Sequence, residues 1–393
     1  MNPVFNRMGH AWKSSSVFAA RRGLLGALPM RLRRITLQHF RNIPLATVDL
    51  AGPRHFFLGP NGQGKTNLLE AVGFLTALRS FRTSDARVLI AHGQREGALA
   101  FELEHEKLGS TRVTVHVRSG GKDVTVDQER VVKLADFLGR FPTVVFSSQD
   151  QQLIRGSPSG RRRWLDLTLS ATDAVYLQTL QAYYRALAGR NALLKRATSS
   201  AELTAFERPM ASAGVRLVAL RAAGLDRLAE HLGRAYARIA PPGSDERVGF
   251  AYAANLTEPD ERVWLEKLAA GRARDAQFRT TLSGPHRDDL DFTLADRPAA
   301  DVASEGQQRS LVLALKVAQA HWFQSRSGVA PVLLADDVLG ELDPERRARF
   351  WHAIEPGWQV LATGTSLPTS DPVPWDVIAV ANGGFTRAES PGP

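Results

Sequence analysis

Cysteine is absent from the 393 residues. Disulfides, thiolate zinc sites and cysteine-ligated iron–sulfur clusters are thereby excluded. No apolar run approaches the ~18 residues of a membrane span. The apolar piece from Leu24 to Leu28 is too short for a signal h-region. Lysine is scarce, 8 residues against 42 arginines, and acids are outnumbered 40 to 50, for a net charge of +10. These shortages point to a cytoplasmic chain without a membrane anchor and with an anionic partner, nucleic acid ahead of lipid. Hydrophobic residues make up 44% of the chain, which supports a substantial core, and the length suits two or three domains.

What is present centres on residues 56–70. Phe56-Phe57-Leu58 reads as a buried strand, and Asn67 to Leu78 reads as a helix. Between them lies Gly59-Pro60-Asn61-Gly62-Gln63-Gly64-Lys65-Thr66, the G-x-x-x-x-G-K-[ST] phosphate loop. The glycines let backbone N–H groups close around phosphate oxygens. The helix presents its positive dipole end to the same anion. Lys65 reaches the β- and γ-phosphates and Thr66 ligates Mg²⁺. Alone, the loop does not choose among kinase, GTPase, helicase and transporter-type ATPase.

Residues 1–29 are basic and acid-free and read as a disordered extension, with Met30 a candidate start. Arg31 to Leu50 alternates as two strands joined at Arg41-Asn42. Residues 98–132 carry a small antiparallel sheet with a hairpin at Gly120-Gly121. A strand at Val144 to Phe146 ends near Gln149 and Asp150. Pro158 opens a helical region containing Arg161, Arg162 and Arg163. Two helices of about 25 residues follow, over 172–197 and 212–239. Val248 to Tyr252 returns to a strand, with one more helix before residue 282.

Chemistry returns near the C-terminus. Ser283-Gly284-Pro285-His286-Arg287-Asp288-Asp289 is a compact polar turn. Ser304-Glu305-Gly306-Gln307 starts a strong helix and offers a second anion site. Val332 to Ala335 is an apolar strand ending in Asp336-Asp337. A strand-end aspartate is what the Mg²⁺ of a P-loop ATPase requires, so Asp336 joins Thr66 as a metal ligand. Gln359 to Thr365 reads as the last core strand with a polar tip. A serine–glycine helix start just before the aspartate strand resembles the ABC-type ATPase, where one subunit's signature caps ATP held by another.

The set resembles one family closely: RecF, a DNA replication and repair family related to SMC ATPase heads. The resemblance runs from about Met30 to Thr365. It rests on Phe40-Arg41-Asn42, the loop through Glu70-Ala71, and Ser80-Phe81-Arg82-Thr83. It continues through Pro158 with Arg161-Arg162, Gly284 to Asp289, Gly306 to Arg309, and Asp336-Asp337 with Glu341-Leu342-Asp343. Departures are Pro60, Glu305 and Gly340, where the family more often has Glu, Gln and Ser or Ala.

The resemblance implies an α/β fold. The expected form is an ABC/SMC-like P-loop ATPase head, a mixed sheet plus an antiparallel β subdomain, with an inserted mainly helical second domain. The expected halves of the head are 30–145 and 301–393, with the insert at 146–300. It implies ATP and Mg²⁺, with Gly59 to Thr66 of one copy and Ser304, Gly306 and Gln307 of another around one ATP in a homodimer. Asp337 takes the position where related ATPases often carry a glutamate base, and Gln149 senses the γ-phosphate, with Asp150 a rival. DNA is implied as partner, double-stranded or with single-strand gaps, with Arg82 and Arg161 to Arg163 as candidate contacts. RecR, RecO and RecA are implied as partners in loading RecA on gapped DNA, with slow hydrolysis suited to a clamp. The rivals are another ABC/SMC-like ATPase subunit and a small-molecule kinase. The serine–glycine signature argues against the kinase.

Overall fold

The computed structural model describes residues 29–83, 85–196, 199–241, 246–368, 371 and 374–387. The expectation for residues 1–29 thus falls, but for Pro29, outside the described residues. β1 (Arg31–Phe40) and β2 (Ile43–Asp49) form the expected hairpin around Arg41-Asn42, and β3 (Arg54–Leu58) leads into the phosphate loop and α1 (Lys65–Ala77). β4 (Glu96–His105), β5 (Gly109–Arg118), β6 (Gly121–Val126) and β7 (Glu129–Arg130) follow. With β1 and β2 they make one antiparallel sheet, ordered β2-β1-β4-β5-β6-β7. The antiparallel half therefore includes the N-terminal hairpin.

β8 (Thr143–Ser147) returns to a second sheet. Its other members are β3, β12 (Val332–Asp336), β13 (Val360–Gly364), β14 (Asp376–Ala381) and β15 (Gly384–Arg387), with order β15-β14-β3-β13-β12-β8. All its pairings are parallel except β14 with β15. Residues alternate between two cores across this sheet, as a doubly covered sheet demands. Phe56, Leu333, Val360 and Ala362 face the helical side, while Phe57, Leu334 and Leu361 face α1 and the antiparallel sheet. One expectation is corrected: β13 is not the last core strand. β14 adds to the far side of β3, so β3 lies inside the sheet.

Between β8 and β12 come α2 (Pro158–Ser170), α3 (Ala174–Leu193), α4 (Ser200–Ile239) and α5 (Glu261–Phe278). A small sheet of β9 (Val248–Ala253), β10 (Asp289–Leu294) and β11 (Arg297–Pro298) packs among them, and α6 (Glu305–Ser327) leads back to β12. α4 has 40 residues, not about 25. It begins at a Ser199 capping box closed by Glu202. Its buried stripe runs Leu203, Glu207, Met210, Gly214, Leu217, Arg221, with two charged residues in it. Those charges, and Pro209 inside the helix, hide its first turns from an apolar-period reading. Pro209 is exposed, so its lost N–H falls on the solvent face.

Glu207 and Arg221 are buried because both are paired. Arg190, fully buried on α3, donates to Glu207 and to Asp275 on α5, the latter at 2.6 Å. Arg221 makes a bidentate pair with Asp166 on α2 at 3.0 Å and donates to Asp288 at 2.8 Å. Unpaired, either guanidinium would be strongly destabilising inside the bundle.

Candidate nucleotide site

α1 starts directly after the loop, with Gly64 as its N-cap at φ 112 and no side-chain cap. That φ is left-handed territory where a side chain is strained, and a Cβ there would also stand 3.3 Å from the Asn42 Oδ1. The first turn of α1 carries no acidic residue. Its amide donors therefore meet no carboxylate of their own helix. Lys65 is 4% exposed, and its ammonium donates to the carbonyls of Gly59 at 2.7 Å and Pro60 at 3.0 Å.

The end of β12 meets this loop. The Thr66 hydroxyl donates to Asp336 Oδ1 at 2.8 Å, and the Thr363 hydroxyl at the tip of β13 donates to the same oxygen at 3.0 Å. Burial pushes the Asp336 carboxyl above its ordinary value, while the two threonine hydrogen bonds pull it down. Asp337 has a left-handed backbone, φ 58, and its amide donates to Thr363 Oγ1 at 2.9 Å. One carboxylate and one hydroxyl beside a phosphate loop suit Mg²⁺, which keeps waters and phosphate oxygens among its ligands. The residues present therefore fit both a polyphosphate and a magnesium ion. Thr363 is a site residue that sequence reading caught only as part of a polar tip.

Gln149 is exposed two residues beyond β8, whose Ser147 is in register with Asp336. Its rival Asp150 is committed elsewhere: it accepts from the Ser147 amide at 2.7 Å and pairs with Lys316 at 2.7 Å.

Behind the loop stands a network that the motif reading missed. Asn42 donates to the Gly62 carbonyl at 3.0 Å, Asn67 to Asn42 at 2.7 Å, and Arg82 to Asn67 at 2.8 Å. Glu70, fully buried, receives Arg41 at 2.7 and 2.9 Å, Ser80, and Arg82 at 3.4 Å. Arg82, expected at DNA, is thus part of the frame that positions the phosphate loop. A buried glutamate on a P-loop helix beside arginines in two flanking motifs was the available signal. The far side of the loop is braced by the β14–β15 turn. The Asn382 amide donates to Gln63 Oε1 at 2.7 Å and the Gly383 amide to the Gln63 carbonyl at 2.9 Å. Gly59 is needed for this approach, since a Cβ there would lie 2.3 Å from the Val380 oxygen.

Ser304 caps α6 in a capping box with Gln307, whose amide also donates to Glu246. Gly306 lies under Arg346, whose guanidinium would be 2.3 Å from a Cβ there and which pairs with Asp343. The signature turn and the Asp343 loop are thus one packed unit.

One expected arginine lies inside. Arg161 is 6% exposed and forms a bidentate pair with Asp289 at 2.8 and 2.9 Å, so its guanidinium is engaged within the chain. Arg162 donates to the Asp288 carbonyl. Arg163 is exposed.

The Gly284 to Asp289 turn is a buried junction. Asp288, fully buried, accepts from Arg221 at 2.8 Å, the Tyr252 hydroxyl at 2.5 Å and the Asn255 amide at 2.8 Å. His286 bridges the Thr281 carbonyl at 2.9 Å and the Tyr183 hydroxyl at 2.7 Å. A carbonyl only accepts, so Nε2 carries the proton and Nδ1 accepts from Tyr183. Burial agrees, pushing His286 down and Tyr183 up, so both stay neutral.

Comparison with known proteins matches this geometry. The family described as RecF/RecN/SMC N terminal domain matches residues 31–364. A protein of Synechocystis sp. named DNA replication and repair protein RecF is 37% identical over 361 residues, covering 87% of this chain and 93% of that protein. One of Trichlorobacter lovleyi with the same name is 37% identical, covering 88% and 94%. A solved structure of the recombination mediator protein RecF with ATP superposes with a TM-score of 0.84 at 26% identity, covering 92% of this chain and 99% of that one. A Pyrococcus furiosus Smc head shares the fold at TM-score 0.52 and 15% identity. A phosphate loop, an aspartate-ended strand and a family match across most of both chains converge: the chain belongs to the RecF family of DNA replication and repair proteins.

Proposed function

We propose that this chain is an ATP-dependent DNA-binding protein of recombinational repair and replication-fork maintenance. It closes as a homodimer on gapped or double-stranded DNA and, with RecR and RecO, promotes RecA loading. The observation that carries the reading is the Thr66–Asp336 contact at the mouth of the phosphate loop. It is supported by a preformed Ser304 signature turn on a separate helix.

In this reading Lys65 and the amides of Gly59 to Thr66 bind the phosphates of ATP. Thr66 and Asp336 hold Mg²⁺, which neutralises phosphate charge when bound. Thr363 fixes both Asp336 and the Asp337 amide, so it orients the strand end. Asp337 is the candidate base, one methylene shorter than glutamate, which favours slow turnover and a clamp over a motor. Gln149 is the candidate γ-phosphate sensor. DNA is held by arginine–phosphate contacts with little base readout.

Solution mass with and without ATP–Mg²⁺, in parallel with a gapped duplex, tests this. The expected result is a monomer that dimerises only with ATP and then holds DNA more tightly, with affinity falling steeply as salt rises. A mass indifferent to nucleotide overturns the clamp.

Ser304→Arg places bulk and charge at the signature turn. It should abolish ATP-induced dimers while ATP binding persists. Ser304→Ala, which removes only a cap worth about 1 kcal/mol, controls for helix stability. ATP-dependent dimers that survive in Ser304→Arg would refute a signature acting across the interface.

A further inference from the structure

A groove runs between the two halves of the chain on the side of α1's C-terminal end. One part, of about 430 Å³, is floored by Leu134 and Leu138 from the antiparallel half and Leu167, Leu177 and Leu180 from α2 and α3. Arg79, Arg162 and Arg163 stand at its rim. A second part, of about 520 Å³, shares Ala77, Arg79 and Leu134 with the first and extends past Lys122 and Arg130 to Val132. Val132 is 85% exposed. The acids in the lining are already paired: Asp166 with Arg221, and Asp123 with Arg118 and Arg130. Arg130 is held by Asp123 and Lys122 donates to the Leu78 carbonyl at 2.7 Å, so the exposed Arg79 and Arg163 supply the charge above an apolar floor.

We propose that this groove docks a short acidic segment of a partner protein, one in which apolar side chains alternate with carboxylates. The leucines take the apolar side chains and the arginines take the carboxylates as charge-assisted hydrogen bonds. A nucleic-acid strand fits less well. Bases bind without sequence preference by stacking on aromatic faces, and the floor is branched aliphatic. The one aromatic in the lining, Tyr184, meets Tyr183 edge to face at 5.6 Å. Because the groove is walled by both halves, an occupant touches the end of the P-loop helix and the helical insert at once. Partner docking is thereby placed where it senses their relative position.

The test is fluorescence anisotropy of a labelled octapeptide alternating aspartate and leucine, added to the full chain without ATP or DNA. Saturable binding is expected, weakened about tenfold or more, roughly 1.4 kcal/mol, by Arg163→Glu and by serine in place of the peptide's leucines. Arg163 is exposed, so that variant folds. Leu180→Ser, checked by its melting curve, addresses the floor. Binding indifferent to the leucine-to-serine exchange or to Arg163→Glu overturns the proposal. So does displacement by short oligothymidylate at lower concentration than by unlabelled peptide, which would make the groove a DNA surface. The assay contains no nucleotide, so its failure leaves the clamp reading untouched.

Discussion

Replacing Asp288 with alanine should cost the protein about 3 kcal/mol or more of stability, a large share of the 5–15 kcal/mol of a typical domain. Three donors lose their acceptor together: the Arg221 guanidinium, the Tyr252 hydroxyl and the Asn255 amide. Arg221 is buried and Tyr252 half-buried, and a buried donor without a partner costs about 1–3 kcal/mol. The Arg221 charge is not wholly abandoned, because Asp166 and the Pro285 carbonyl still receive it. That argues for the low end of the 3–5 kcal/mol seen when a buried ion pair is broken. Urea unfolding followed by circular dichroism measures the effect. The triple variant Asp288→Leu, Arg221→Met and Asp166→Asn should recover part of the loss, since no buried charge is then left without its partner. A single Asp288→Ala variant with the parent's unfolding midpoint would show that the junction does not hold the helical half together.

Lys65→Arg should retain ATP and lose turnover by about a hundredfold or more. The ammonium sits in a ring of loop carbonyls at 2.7 and 3.0 Å, room shaped for a compact point charge. A planar guanidinium keeps the charge but not the position. Removing one well-placed donor to a transition state costs about 10²–10³ in rate. The parent itself should be slow, below roughly 1 s⁻¹ against a median enzyme near 10 s⁻¹, because Asp337 offers a short reach. Equilibrium binding of a fluorescent ATP analogue and a phosphate-release assay separate the two effects. An arginine variant that hydrolyses at the parent's rate would remove Lys65 from the chemistry.

The phosphate loop, the Asp336 strand, the α6 start and the hairpins were all legible in the sequence. Each depends on neighbours in the chain: glycines in a turn, alternation in a strand, a capping serine. What escaped depends on distant partners. Arg161 looked like a surface cation because Asp289 stands 128 residues away. The first turns of α4 were hidden because Glu207 and Arg221 occupy a buried stripe on the strength of Arg190, Asp166 and Asp288. That Arg82 braces the phosphate-loop helix escaped because nothing local reveals that Glu70 is buried between it and Arg41. β14 was missed because a six-residue strand among turns carries little pattern. Charge composition pointed to an anionic partner, yet many arginines serve ion pairs inside the helical half, so the bulk count alone does not locate that partner.

The bracing of the phosphate loop by the β14–β15 turn has a consequence for biosynthesis. Gln63 and Asn382 are 319 residues apart, and β3 lies between β13 and β14. At about 5–20 residues per second on a ribosome, His55 to Leu58 wait on the order of 15–60 s for the strands that flank them. During that interval two phenylalanines have no sheet around them, which makes the nascent chain a client for chaperones. Ribosomes that stop short of the β14–β15 turn release chains whose phosphate loop lacks its rear wall. Competence to bind ATP then certifies that translation has passed the β14–β15 turn.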